Sequence, residues 1–214
     1  MGVAEDLLER GRAGEPAGAC LSTVEGGELT LAVLLRPGVP MGHLMGARSV
    51  CALGVLDCLR SHADAAALAW PGDVVVPDAA GHAASTIARL SAHAATGEAG
   101  MFVVCEARVA LPALPAGTNP DDLARELAAS ISARVDVWAQ DVAAGRGAAG
   151  PLAPVLSEFF DDLALMGHEA SVVYPNGRVA ATGTFTAVDV WGRATVRLAD
   201  GRELVISPEQ ASLR

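Results

Sequence analysis

Twenty-five acidic residues against fifteen basic ones give this 214-residue chain a net charge of −10 and a pI of about 4.8, which excludes the basic footprint that nucleic-acid binding requires. All of the basic residues are arginines, so no step of its chemistry can use a lysine. The 51% hydrophobic share is enough for one sizeable core, or a domain plus a smaller unit, but no apolar run is long enough to span a membrane.

Residues 4–11 place Leu7 and Leu8 between charges and predict a short amphipathic helix, ended by Gly11, Gly14 and Pro16. A short strand over 19–23 and a turn at Glu25-Gly26-Gly27-Glu28 lead into 29–36, an apolar strand stopped by Pro37-Gly38. A helix follows over 44–61, with Val50, Leu53, Leu56 and Leu59 on its core stripe. Trp70-Pro71-Gly72-Asp73 then opens a valine strand, Val74 to Val76, through a stiff proline elbow. Residues 85–95 fit a strand or a helix, and 101–111 a strand. Pro120-Asp121-Asp122 starts a helix to about 140, with acids against its positive end. A flexible break over 143–150 and a last helix over 152–165 are expected. From His168 onward, Asn176-Gly177 and Asp200-Gly201 sit between apolar runs and signal hairpins. That rhythm predicts a small antiparallel barrel and a boundary near 166–168.

On chemistry alone the chain shows no catalytic constellation. Its five histidines lack metal spacing, and neither a GxSxG elbow nor a phosphate-binding glycine loop occurs. Glu106 and Arg108 alternate on a strand, which favours an ion pair at the sheet edge over a ligand-polarising pair. Asp161-Asp162 reads as solvated. Cys20, Cys51, Cys58 and Cys105 read as buried free thiols. The absence of a signal-like start adds to the expectation of a cytoplasmic protein.

The order of elements changes the weight of these residues. The first helix, the strand Leu-Thr-Leu-Ala-Val-Leu-Leu-Arg, the long helix and Leu68-Ala69-Trp70-Pro71-Gly72-Asp73 resemble the catalytic domain of biotin–protein ligases. Val188-Asp189-Val190-Trp191-Gly192-Arg193, Asp200-Gly201 and Gln210-Ala211-Ser212-Leu213-Arg214 carry the resemblance to the end of the chain. It implies an α+β fold over residues 1–166, with a class II aminoacyl-tRNA synthetase-like mixed or antiparallel sheet and flanking helices. A small C-terminal Src-homology-3-like β-barrel is implied over 167–214. Biotin, ATP and magnesium are the implied ligands. The implied reaction has two steps: biotin's carboxylate attacks the α-phosphate of ATP to give biotinyl-adenylate, and a carrier-protein lysine then takes the acyl group. A biotin carboxyl carrier domain and a second copy of the chain are the implied partners. The family's DNA-binding domain and its Ser-Thr-Asn segment are expected to be absent.

Several positions depart from the family pattern. Its Lys-Trp-Pro-Asn-Asp motif has Ala69 for the lysine and Gly72 for the asparagine. The arginine-rich glycine loop that closes over the ligands is missing between Ser22 and Gly27. Its Lys-x-x-Gly strand aligns with His82-Ala83-Ala84-Ser85, making His82 the candidate replacement, with Arg36 as the other catalytic candidate. A Gly-x-Gly-x-Asn strand becomes Cys105-Glu106-Ala107-Arg108-Val109. The ligand-binding candidates are therefore Trp70, Pro71, Gly72, Asp73, Glu106 and Arg108. The expectation is degenerate or lost ligase activity, with a non-catalytic binding or scaffold role as the alternative.

Overall fold

The apolar run after the first turn is buried on both faces because it becomes an interior strand. In the computed structural model, which describes residues 2–214, six antiparallel strands form the main sheet. They are β1 (Cys20–Glu25), β2 (Glu28–Leu35), β3 (Ala67–Ala69), β4 (Asp73–Pro77), β5 (Ala83–Gly97) and β6 (Gly100–Ala110), in the spatial order β1-β2-β6-β5-β4-β3. Leu29, Leu31, Val33 and Leu35 face the main core, while Ala32 and Leu34 face the other side under α1 (Val3–Arg12). That smaller layer also holds Leu7, Phe102 and Val104. Each fully buried leucine or phenylalanine contributes about 1.5–3 kcal/mol.

Helices α2 (Ala47–Leu59) and α3 (Pro120–Ala143) cover the main-core face. α3 starts where Asn119 Oδ1 accepts the backbone N–H of Asp121 at 2.9 Å and of Asp122 at 3.3 Å, with Pro120 in the first turn. α2 is buried around most of its circumference, and its start is delayed by a 3₁₀ turn over Met41–Gly46. The two helices cross closely at Gly54, where an added Cβ would lie 2.8 Å from Ile131 Cα. Ser130 Oγ donates to the Gly54 carbonyl at 2.7 Å in the same contact. Gly54→Ala gains about 1 kcal/mol of helix propensity. It loses about 1–3 kcal/mol by forcing backbone apart. We expect a net loss near 1 kcal/mol in chemical denaturation, and a stabilised variant would contradict this crossing.

The C-terminal part is a second antiparallel sheet, ordered β10-β9-β8-β7-β11. Its strands are β7 (Glu169–Val173), β8 (Val179–Val188), β9 (Ala194–Leu198), β10 (Glu203–Ile206) and β11 (Ser212–Leu213). Gly177 and Gly201 take φ of +81° and +83° in the two hairpin turns expected from Asn-Gly and Asp-Gly. Phe185, Val196 and Ile206 join the same apolar cluster as the main sheet.

Several expectations change. Residues 85–95 belong to a fifteen-residue strand, because alternate residues such as Leu90 pack inward against the β6 pairing. The helix expected over 152–165 shrinks to α4 (Leu156–Asp161), since Pro154 interrupts its start and the backbone at Asp162 and Ala164 pairs with Leu68 instead. The break before it is pinned: Trp138 Nε1 donates to the Pro151 carbonyl at 2.7 Å, and His43 Nε2 lies 3.0 Å from the Gly147 carbonyl. Asp162 is not solvated but paired with Arg60.

All four cysteines are free, but only Cys51 and Cys105 are buried. Cys20 is exposed, and Cys58 is half-buried with its thiol pushed up to about 11 by burial and by the nearby Glu126 and Asp57. At pH 8 such a thiol is only about one part in a thousand thiolate. An iodoacetamide time course should therefore label Cys20 first, Cys58 slowly, and Cys51 and Cys105 only on unfolding. Peptide mass mapping reads that order, and early labelling of Cys51 would mean that the core opens locally.

Candidate functional site

Trp70 and Pro71, joined by a cis peptide bond, turn the chain between β3 and β4. The Trp70 indole is 2% exposed, and its Nε1–H donates to the Gly192 carbonyl at 2.9 Å, across 122 residues of sequence. Gly192 lies in the tight turn between β8 and β9. The elbow is thus the joint between the two sheets, and the indole's polar edge is fully used there. Gly72 takes a φ of +151°, and a Cβ on it would come 3.2 Å from that of Ala52. A side chain at this position is therefore disfavoured on backbone grounds.

Asp73 opens β4, and its side chain reaches across to β5. Its Oδ1 accepts the Leu90 N–H at 3.1 Å and an Arg48 Nη2–H at 3.2 Å. Arg48 rises from the first turn of α2, and its Nε is buried without a hydrogen-bond partner among the described residues. Leaving a buried donor unpaired costs about 1–3 kcal/mol.

Two adjoining cavities flank this pair. One, of about 670 Å³, lies between the main sheet and the C-terminal sheet. Its polar lining includes Arg48, Asp73, His82, Arg89, Glu209 and Arg214. The second, of about 400 Å³, lies beside the 3₁₀ turn and against β5 and β6. The two share Arg48, Pro71, Pro208 and Glu209 as their border. Both volumes fall in the range of small-molecule sites.

Of the residues singled out from sequence, Trp70, Pro71, Asp73 and His82 line the larger cavity. His82 Nδ1 is 3.9 Å from Asp78, which also accepts the His82 backbone N–H at 3.0 Å. Glu106 and Arg108 pair with each other at 2.7 Å and line neither cavity. In the β5–β6 register Arg108 stands opposite Arg89. Arg36 sits elsewhere: it donates to the carbonyls of Glu15 and Gly11, at 2.8 and 2.9 Å, and lies over the Phe102 ring. It clamps α1 to the sheet.

No family model and no curated protein matches the chain. Solved structures do. The biotin protein ligase of Aquifex aeolicus superposes with a TM-score of 0.68 at 15% identity, covering 100% of this chain and 94% of that one. The chain has the biotin protein ligase fold. A point mutant of the Aquifex ligase, in complex with biotin, gives a TM-score of 0.70 at 13% identity, again covering 100% of this chain and 94% of that one. A biotin protein ligase-like protein of unknown function from Silicibacter sp. TM1040 gives 0.70 at 19% identity, over 98% of this chain and 90% of that one. The arrangement is α+β, with helices on an antiparallel main sheet and a small second antiparallel sheet.

The arginines were missed in the sequence. Arg48 stands in the first turn of an otherwise apolar helix, and Arg89 interrupts an alanine-rich strand. An isolated charge in an apolar element was the available signal.

Proposed function

We propose that this chain is a binding protein built on the biotin protein ligase fold, which takes a small carboxylic acid and a nucleotide but turns them over slowly or not at all. The observation that carries this reading is the open, arginine-lined cavity beside Trp70 and Asp73. Arg48, Arg89 and Arg214 bring permanent positive charge to one concavity of a chain whose net charge is −10. Guanidinium groups hold carboxylates and phosphates through paired hydrogen bonds. The Aquifex ligase has been solved with biotin and ATP together, with a TM-score of 0.68 to this chain, which supports carrying both ligand types over.

Slow turnover follows from what is missing. β1 and β2 are joined by the two-residue turn Gly26-Gly27, so no long loop rises there to close over ligands. The strand elbow carries Ala69 and Gly72 in place of a lysine and an asparagine. Losing one group that stabilises developing charge typically costs about 10²–10³-fold in rate, and several are gone. No cluster of three or more His, Cys, Asp or Glu able to hold a metal occurs among the described residues. Magnesium would arrive on the nucleotide phosphates instead. No helix is long and apolar enough to cross a membrane, and the reduced thiols suit a cytoplasmic setting. The two units, 1–166 and 167–214, form the site jointly, and a carrier domain or a second copy is the partner class.

Calorimetry with ATP and with biotin tests binding, and mass spectrometry of a carrier domain tests transfer. The expected result is micromolar binding of ATP, weaker binding of biotin, and no ATP-dependent mass gain on the acceptor. Rapid acceptor labelling would overturn the slow-turnover half and leave an active ligase, the reading favoured by the retained Trp70 and Asp73. Failure of every acid and nucleotide to bind would overturn the whole.

A further inference from the structure

Resting on the acid-binding reading above, we infer that the smaller cavity is an apolar arm for the tail of a straight-chain aliphatic carboxylate, with Arg48 at its neck holding the carboxylate. The arm is walled by Met41, Leu44 and Met45 from the 3₁₀ turn, by Ala92 and Ala94 of β5, and by Val103 of β6. Trp191, 40% exposed, stands at its mouth from the C-terminal sheet. Met41 and Met45 are 72% and 59% exposed, which is unusual for apolar side chains with a core close by. Flexible thioethers adapt to a tail of variable shape. The alanines leave room that larger side chains would fill. The border shared with the polar cavity contains one cation, Arg48, whose buried Nε has no acceptor among the described residues.

The chemistry discriminates between acids. A ring bearing a urea needs several donors and acceptors, and a site that lacks them rejects it. Away from its charged border, the arm's side chains supply only the hydroxyls of Ser49 and Ser91 and, at its mouth, the indole N–H of Trp191. A saturated tail needs none. Glu209 stands on the same border and disfavours a second negative charge on the ligand.

Calorimetry of the full chain with hexanoate, octanoate, decanoate, 1-octanol and biotin decides it. Each added methylene should tighten binding about fourfold, the affinity equivalent of burying one CH₂. Octanoate should bind at least about tenfold tighter than 1-octanol. Arg48→Gln should bring octanoate down to the alcohol's level while leaving 1-octanol unchanged, which also reports that the variant has kept its fold. Ala94→Phe should cost decanoate at least about tenfold and hexanoate little. A flat chain-length series, equal binding of acid and alcohol, or biotin binding tighter than octanoate would each overturn the inference. Binding of biotin or ATP alongside a flat series leaves the broader reading standing, whereas no binding by any acid or nucleotide removes both.

Discussion

Trp70→Ala should cost about 3–5 kcal/mol of stability and loosen the C-terminal sheet from the main one. Truncating a fully buried aromatic leaves a cavity worth that much. The Gly192 carbonyl also loses the indole N–H, its partner at 2.9 Å. For a chain of this size the loss appears as a fall of about 6–20 °C in melting temperature. Trp70→Phe keeps much of the volume and removes the donor, so its cost should be nearer about 1–3 kcal/mol. Location separates this account from a generic core defect. Amide exchange should accelerate in β8 and β9, which flank the Gly192 turn, as much as in β3 and β4. Acceleration confined to β3 and β4 would mean that the indole serves its own elbow and not the joint. Because the larger cavity is walled from both sides of that joint, with Asp73 on one and Leu213 and Arg214 on the other, ligand affinity should fall in the same variant.

The same residue shows what the sequence could and could not reveal. Local pattern was sufficient where one element carries its own reason to form: the doubly apolar β2, the capped start of α3, and the Asn-Gly and Asp-Gly hairpins. It was insufficient for β5, because alanine has no preference strong enough to override what β6 imposes beside it. It overextended α4 across a proline that the chain cannot carry inside a helix. Trp70 was legible as the wall of an elbow, but its bond to Gly192 joins residues 122 positions apart and leaves no local trace. Arg36, prominent at the end of its strand, spends its donors on carbonyls of the α1 region. Arg48 was passed over for the opposite reason: an arginine on a helix ordinarily reads as solvated, even one alone in an apolar helix, and the cavities on either side of it give it a task. Glu106 and Arg108 form the ion pair their alternation suggested, but on an interior strand flanked by β2 and β5 and not at the sheet edge.

Arg48 and Asp73 should have opposite effects on anion binding. Arg48 is held by Asp73 through one contact of 3.2 Å, with each side chain about one-third exposed. A partly solvated pair of this kind is worth about 1 kcal/mol or less. An incoming carboxylate or phosphate must therefore compete only weakly for the guanidinium. Arg48→Gln deletes the cation and leaves Asp73 facing the cavity, so ATP affinity should fall about 10–100-fold, the loss of one charge-assisted contact. Arg48→Lys should fall between, because an ammonium keeps the charge but loses the planar fork. Asp73→Asn keeps an oxygen for the Leu90 N–H but frees Arg48, and ATP should then bind about 3–10-fold more tightly. Both effects should shrink as salt rises, since the cavity is open to solvent. The sign of the Asp73→Asn change is the decisive reading. If ATP binds about tenfold more weakly to that variant, a loss near 1.4 kcal/mol, Asp73 is meeting a positive part of the bound ligand complex, and Arg48 is its support and not the anion's anchor.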